Sequence, residues 1–428
     1  MMKIMPVDQF DASAFKTPPI QTGNEIEAAV DLIIQTVRQQ GDKALIDYAA
    51  KFDKAQLDSV LVSDQEIEEA FAACEPDFLE TLKQARDNIE AFHKRQVRNS
   101  LIVSEEAGKV MGQRIIPLKR VGLYVPGGTA AYPSSVLMNA VPPKIAGVKE
   151  IVISTPPGRD GKVNPAILCA AKIAGVTRIV KAGGAQAIAA LAYGTESVPA
   201  VDKIVGPGNV YVATAKRRVY GLVDIDMIAG PSEILVLADG KSNPAFVAAD
   251  LLSQAEHDKL ASAILVTDSA ELAEKVQAEV ERQVELLPRR DIARVSIDSN
   301  GKIVVAHDLR QGIEIANLIA PEHLEICVDD PFAYLPQIES AGSVFLGRNV
   351  PEALGDYWAG PNHTLPTSGT ARFSSPLSVD DFVKKSQFLY YSKEALEQAK
   401  DRVVAFAQKE GLNGHANSIA IRFGESAV

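Results

Sequence analysis

Two short stretches concentrate side chains that can move protons or hold a metal: Ser253-Gln254-Ala255-Glu256-His257 and Ala320-Pro321-Glu322-His323-Leu324-Glu325. His363 and His415 stand in two further polar or Gly/Pro-rich segments, residues 355–363 and 412–417, so four of the six histidines sit where packing gives little reason for them. Imidazole is the commonest metal ligand and changes charge near neutral pH. The chain reads as an enzyme.

Asn243 and Pro244 make an N-cap and first-turn pair, which predicts a helix running to about His257. Gln254 and His257 then share a face, with Asp250 one turn back. Asp356 and His415 would complete two imidazoles and two oxygen donors, a set that suits Zn²⁺ as a Lewis acid. There is no His-Glu-x-x-His and no cysteine pair. A solvated helix end accounts for Gln254 and His257 equally well.

Glu322 and His323 are adjacent, so on a strand they would face opposite ways. Both reach one site only if the chain turns there, which Pro321 favours. The imidazole could then take an alcohol proton and the carboxylate could activate water. The alternative is a polar strand entry capping a helix over 310–319. Cys327 has the chemistry of an aldehyde-oxidising nucleophile, but the alternating Leu324-Glu325-Ile326-Cys327-Val328 makes it a buried small hydrophobe, as the surroundings of Cys169 do.

The elements that must position these groups follow from pattern. At 428 residues the chain predicts about two to four domains. Hydrophobic residues at 46% and charged residues at 23% fit a soluble globular protein, and a net charge of -11 argues against nucleic acid. No apolar run approaches membrane length, and three dispersed cysteines suit a reducing compartment, so a cytoplasmic location is expected. Residues 24–95 predict a helix pair, the first opened by an Asn24/Glu27 capping box and the second by Ser63/Glu66, with one apolar face running from Ile67 to Phe92. His93, beside Lys94 and Arg95, is expected in solvent. From about residue 108, strands near 121–125, 151–154, 178–181, 234–238 and 263–267 alternate with helices. That predicts parallel sheets covered on both faces, with ligands at the carboxyl ends of strands. Residues 347–378 read as a long polar loop, and one more helix closes at Gly411.

Three turns could seat a phosphate on free backbone N–H groups: Gly127-Gly128, Gly183-Gly184-Ala185-Gln186, and Gly206-Pro207-Gly208-Asn209. None has the full three-glycine fingerprint, and tight turns alone explain each. Together, however, the stretches around Val121–Gly128, Gly183–Leu191, Val205–Asn209, Ala229–Glu233, Asp250–His257, Ala320–Glu325, Gly355–Tyr357, Asn362-His363 and Gly414-His415 resemble the histidinol dehydrogenase family. The resemblance runs from about residue 115 to 422 in one consistent order.

That resemblance implies a homodimeric enzyme that oxidises L-histidinol to L-histidine through histidinaldehyde, using one Zn²⁺ per subunit and two NAD⁺. It implies zinc ligands Gln254, His257, Asp356 and His415, NAD-site residues Tyr124, Gln186 and Asn209, and substrate contacts from Ser232, Glu410 and His363 beside the zinc ligands and His323. Glu322 and His323 would be the catalytic pair. The implied fold is α/β: two Rossmann-like parallel-sheet domains, an N-terminal helical segment (1–100) and a C-terminal helical tail (379–428) exchanged between subunits. Residues 101–128 and 233–378 would form the zinc and catalytic domain, and 129–232 the NAD domain. The rival readings are a same-scaffold enzyme for another polar alcohol such as a sulfonated diol, a zinc hydrolase using Glu322, and a dimer that binds metal for structure alone.

Overall fold

A run such as Glu233–Ala238, in which all six residues are buried, fits only a central strand of a sheet covered on both faces. In the computed structural model, which describes residues 1–11, 23–127 and 131–427, it sits in a six-stranded sheet. The order is Lys3–Pro6, Lys302–Val305, Ser262–Thr267, Glu233–Ala238, His323–Cys327, Ser343–Leu346, and every pairing is parallel. A second, five-stranded parallel sheet runs Arg178–Lys181, Glu150–Thr155, Arg120–Tyr124, Lys203–Val205, Asp224–Ile225. The α/β prediction therefore holds, with strand ends within two residues of those expected. Gly128, in one of the three candidate turns, lies outside the described residues.

Period-2 alternation divides each sheet between two cores. Val121, Leu123, Ile151 and Ile153 face one layer, and Tyr124, Val152, Val180 and Ile204 the other. In the larger sheet, Ile234 and Val236 point one way and Leu235 and Leu237 the other. The N-terminal helices cover the five-stranded sheet. Val30, Ile33, Ile34 and Val37 of Asn24–Gln40 join the core of Ile188 and Leu191, while Leu82, Ala85 and Ile89 of Pro76–His93 join the opposite one.

Several expectations change. The Ser63/Glu66 capping box is present, but Asn24 is already helical and Gly23 is the extended cap. The second predicted helix is two, Asp64–Ala73 and Pro76–His93, because Pro76 restarts the helix after Cys74 leaves helical geometry. His93 is buried, not solvated: it continues the Leu82, Ala85, Ile89 stripe, and its Nδ1 lies 2.9 Å from the Ile89 carbonyl. Within 347–378 a short helix, Glu352–Tyr357, interrupts the loop.

The chain divides into two compact units, and both parallel sheets belong to the first, Met1–Gln96 with Leu118–Phe382. The second, Val97–Pro117 with Val383–Val428, joins an antiparallel sheet (Val383–Tyr391, Lys109–Pro117, Leu101–Val103) to the helices Lys393–Lys409 and Asn413–Ala420. The tail is thus more than helical. Its nine-residue strand escaped the pattern reading because neither face is buried, so no alternation is written into it. No helix among the described residues is long and apolar enough to cross a membrane.

Candidate active site

Histidine and carboxylate side chains collect at the amino ends of two central strands of the larger sheet. The helix Leu309–Ile319 ends at Ala320, whose φ of +53° is left-handed, and the chain then bends through Pro321 and Glu322 into the strand His323–Cys327. The bend lets the adjacent pair converge, with Glu322 Oε2 3.7 Å from His323 Nδ1. Both lie against the neighbouring strand: the Glu233 N–H donates to Glu322 Oε2 at 3.0 Å, and His323 Nδ1 sits 2.9 Å from the Glu233 carbonyl. A carbonyl only accepts, so Nδ1 carries the hydrogen and Nε2 presents its lone pair. Nε2 is buried and has no hydrogen-bond partner.

That lone pair faces two acids the sequence did not place together. Glu352 Oε1 lies 3.8 Å and Asp356 Oδ1 4.0 Å from His323 Nε2. The two belong to the short helix Glu352–Tyr357, four residues apart on one face. Its position is set by Glu325, a buried strand residue that accepts the Glu352 N–H at 2.8 Å. Opposite stands the helix Pro244–Ala255, capped by Asn243 as predicted. Val247, Ala248, Leu251 and Ala255 bury one stripe against Ile234 and Val236, which fixes the direction of Gln254. Gln254 is buried toward Glu352, which also takes a 3.2 Å hydrogen bond from Ser253. His257, just past the helix end, is close enough to act electrostatically on Glu352, His323 and His363.

Burial governs the charges. It pushes Glu322 and Glu325 well above the usual carboxylate range, Glu233 to about 7, Asp250 to about 6 and Asp356 to about 9, with the neighbouring acids adding to the rise at Glu322, Glu325, Asp250 and Asp356. Burial alone would raise Glu352 too, but the charges of His323 and His257 and hydrogen bonding to its carboxylate hold it low. Burial also pushes His323 below the usual imidazole range and lowers His363 to about 4. His363 is tethered at both nitrogens, 3.1 Å from the Asp356 carbonyl and 3.3 Å from Ser135 Oγ.

A divalent cation fits this arrangement. His323, Glu352 and Asp356 offer ligand atoms within 4.8 Å of one another, and Gln254 Nε2, His323 Nε2 and Glu352 Oε1 are buried without partners. So many acids in one dry site stay protonated unless a cation balances them. Of the four expected metal ligands, Gln254, His257 and Asp356 are brought to one place. His415 is exposed in the second unit, on the helix Asn413–Ala420, with Glu410 just after Lys393–Lys409. Ser232 sits beside the site, immediately before the strand Glu233–Ala238. Glu352 was missed, although its four-residue spacing from Asp356 was a legible signal. Cys327 and Cys169 are buried as expected, and burial lifts the Cys169 thiol to about 12, far from a reactive thiolate.

This cluster lies at strand amino ends rather than at the carboxyl ends where ligands were expected, whereas the candidate turns of the other sheet lie at carboxyl ends. Tyr124 ends its strand, Gly183 and Gly184 follow Arg178–Lys181, and Gly206 to Asn209 follow Lys203–Val205. Strand order reverses between Arg120–Tyr124 and Lys203–Val205, the switch point where open parallel sheets bind ligands. The Gly184 N–H donates to the Tyr124 hydroxyl at 3.1 Å, and a Cβ on Gly184 would lie 2.9 Å from the Gln186 amide oxygen. Asn209 caps the next helix, accepting from Tyr211 and Val212. Tyr124, Gln186 and Asn209 thus share one sheet end.

A family model described as histidinol dehydrogenase matches residues 17–423. A histidinol dehydrogenase of Clostridium acetobutylicum is 60% identical, with 93% of each chain covered, and one of Syntrophotalea carbinolica is 53% identical over the whole of both. The crystal structure of histidinol dehydrogenase from Elizabethkingia anophelis superposes with a TM-score of 0.93 at 39% identity, covering 99% of this chain and 97% of that one. By this family model and these relatives, the chain belongs to the histidinol dehydrogenase family.

Proposed function

We propose that the chain performs the NAD⁺-dependent oxidation of L-histidinol to L-histidine through a bound aldehyde, with zinc at the amino-end site. The observation that carries this reading is His323: a neutral imidazole with Nδ1 fixed as a donor to a backbone carbonyl and Nε2 left free, buried, to accept a proton. Gln254, His257 and Asp356, with His415 from a second copy of the chain, would hold the zinc, which would supply Lewis-acid polarisation to the substrate. His323 takes the hydroxyl proton at Nε2 as hydride leaves for the first NAD⁺. Glu322 would remove a proton from the water that adds to the aldehyde, while His323 returns its Nε2 proton to the aldehyde oxygen and so regains its free lone pair. His323 then accepts a proton from the resulting diol as the second hydride leaves. Ser232, His363 and Glu410 would orient the substrate, and Tyr124, Gln186 and Asn209 would seat the dinucleotide, whose phosphates suit helix N-termini.

The proposed division of labour assigns zinc and catalysis to 233–378 and the NAD site to the five-stranded sheet, so that Arg120–Tyr124 moves from the expected zinc segment 101–128 to the NAD side with 129–232, and 379–428 completes the site of a partner subunit. A homodimer is supported by apolar side chains that the second unit leaves in solvent, with Phe406 and Leu389 each 70% exposed. Free cysteines are consistent with a cytoplasmic setting. The test is NADH formed per L-histidinol consumed, run to completion with and without a chelator. Two NADH per substrate, lost on chelation and restored by zinc, supports the reading. One NADH means arrest at the aldehyde, and none moves the assignment to another alcohol or to hydrolysis.

A further inference from the structure

The turn after Lys203–Val205 is held by an ion pair sealed inside the protein. Lys216, on the helix Val210–Val219, and Asp226, just past Asp224–Ile225, have side chains only 2% and 1% exposed and bond to each other. Between them they take both polar groups of one peptide residue. Lys216 Nζ donates to the Gly206 carbonyl at 3.0 Å, and the Gly206 N–H donates to Asp226 Oδ2 at 2.7 Å. The other carboxylate oxygen accepts the Met227 N–H at 2.6 Å. Gly206 has φ of +112°, and a Cβ there would stand 2.1 Å from the Tyr124 carbonyl oxygen, so the turn is pressed against the residue that ends the central strand.

A buried ion pair is a poor way to gain stability, since apolar residues of similar volume serve as well once desolvation is counted. What it supplies here is direction: a rigid donor and a rigid acceptor that fix Gly206, and with it the start of the helix capped by Asn209. We propose that Lys216 and Asp226 are a positioning pair that holds the Gly206 to Asn209 turn in its dinucleotide-receiving shape before NAD⁺ arrives. The inference rests on reading that turn as part of the NAD⁺ site. Neither side chain touches the ligand, and the effect passes through the Gly206 backbone.

The experiment uses the full-length, zinc-loaded protein with Lys216→Met and Asp226→Asn combined, so that no lone charge is left buried. NAD⁺ affinity is measured by calorimetric titration beside steady-state kinetics. The expected result is an NAD⁺ affinity weakened about tenfold or more, with kcat at saturating NAD⁺ and the KM for L-histidinol nearly unchanged. Unchanged NAD⁺ affinity in the folded variant overturns the proposal, as does an equal fall in kcat and both KM values. A second measurement needs no variant. Hydrogen exchange of wild-type residues 203–212 should be slow without NAD⁺ and little altered by it, whereas fast exchange that NAD⁺ quenches overturns a preformed turn. Wild-type protein that binds no NAD⁺ at all would instead remove the dinucleotide reading, and this inference with it.

Discussion

The two parallel sheets offer opposite ends to chemistry. In the five-stranded sheet the candidate residues crowd the strand carboxyl ends, where the helices Gly184–Tyr193 and Val210–Val219 begin. In the six-stranded sheet they crowd the amino ends, where Pro244–Ala255 and Leu309–Ile319 finish. The helix macrodipole gives these ends opposite character: N-termini present N–H groups and partial positive charge, C-termini carbonyls and partial negative charge. One suits a pyrophosphate and the other a cation. The first end is built mostly of backbone and glycine, the second of buried imidazole and carboxyl groups. One architecture can therefore suit two ligand classes, according to which end of the sheet is lined.

The sharpest way to break this contrast is at the amino end. His323→Asn should lower kcat for both oxidations by roughly a thousandfold, while Glu322→Gln should spare alcohol oxidation relative to aldehyde oxidation. Steady-state kinetics with L-histidinol and with the aldehyde separate the two, and equal, small losses would defeat the role assignment. Removing metal should be nearly as selective. Chelation should lower thermal stability by the amount of the lost binding, about 4 kcal/mol where zinc stood at a thousand times its Kd. NAD⁺ affinity at the other end should be little affected, and a matching collapse of NAD⁺ binding would mean the two ends are not independent. At the carboxyl end, Gly206→Ala places a methyl group against the Tyr124 carbonyl in a left-handed backbone. A stability loss of about 1–3 kcal/mol by denaturant titration, with weaker NAD⁺ binding and an intact metal site, is expected.

The smallest effect is expected at an outermost strand of the five-stranded sheet, Arg178–Lys181. Glu66 caps its helix at Ser63 and pairs with Lys181 at 2.6 Å. Burial alone would raise its pKa, but those bonds outweigh it and hold the carboxylate below its usual range. A folded pKa below the unfolded one contributes stability above the unfolded value and loses it as pH falls through the folded value. Glu66→Gln should therefore cost about 1 kcal/mol at neutral pH, with the difference closing below about pH 4. Denaturation midpoints at the two pH values check the sign.

Strands buried on both faces were legible in the sequence because their apolar runs are unbroken, and so was the helix start at Asn243 and Pro244. The bend at Pro321 that brings Glu322 and His323 together was also foreseen. What escaped notice was set by context. His93 precedes the basic residues Lys94 and Arg95 in sequence, yet its helix turns it inward behind Ile89. Val383–Tyr391 carries no alternation because both of its faces meet solvent. The choice of amino ends for the histidine site could not be read from strand-helix alternation, which is the same at either end of a sheet. Glu352 was overlooked although its spacing from Asp356 was legible, because the Gly/Pro-rich stretch around it disguised a six-residue helix.

The outermost strand of the larger sheet sets a clock on biosynthesis. Lys3–Pro6 pairs with Lys302–Val305, its only neighbour in the sheet among the described residues, so the earlier segment must wait on the ribosome for one made roughly 300 residues later. At ordinary translation speeds that wait is about 15–60 s. The five-stranded sheet, whose strands all fall between Arg120 and Ile225, has its own strands complete well before then. The nascent chain should therefore carry a formed five-stranded sheet while the amino-end site still lacks Glu322, His323 and Asp356, and chaperone demand should be heaviest in that interval.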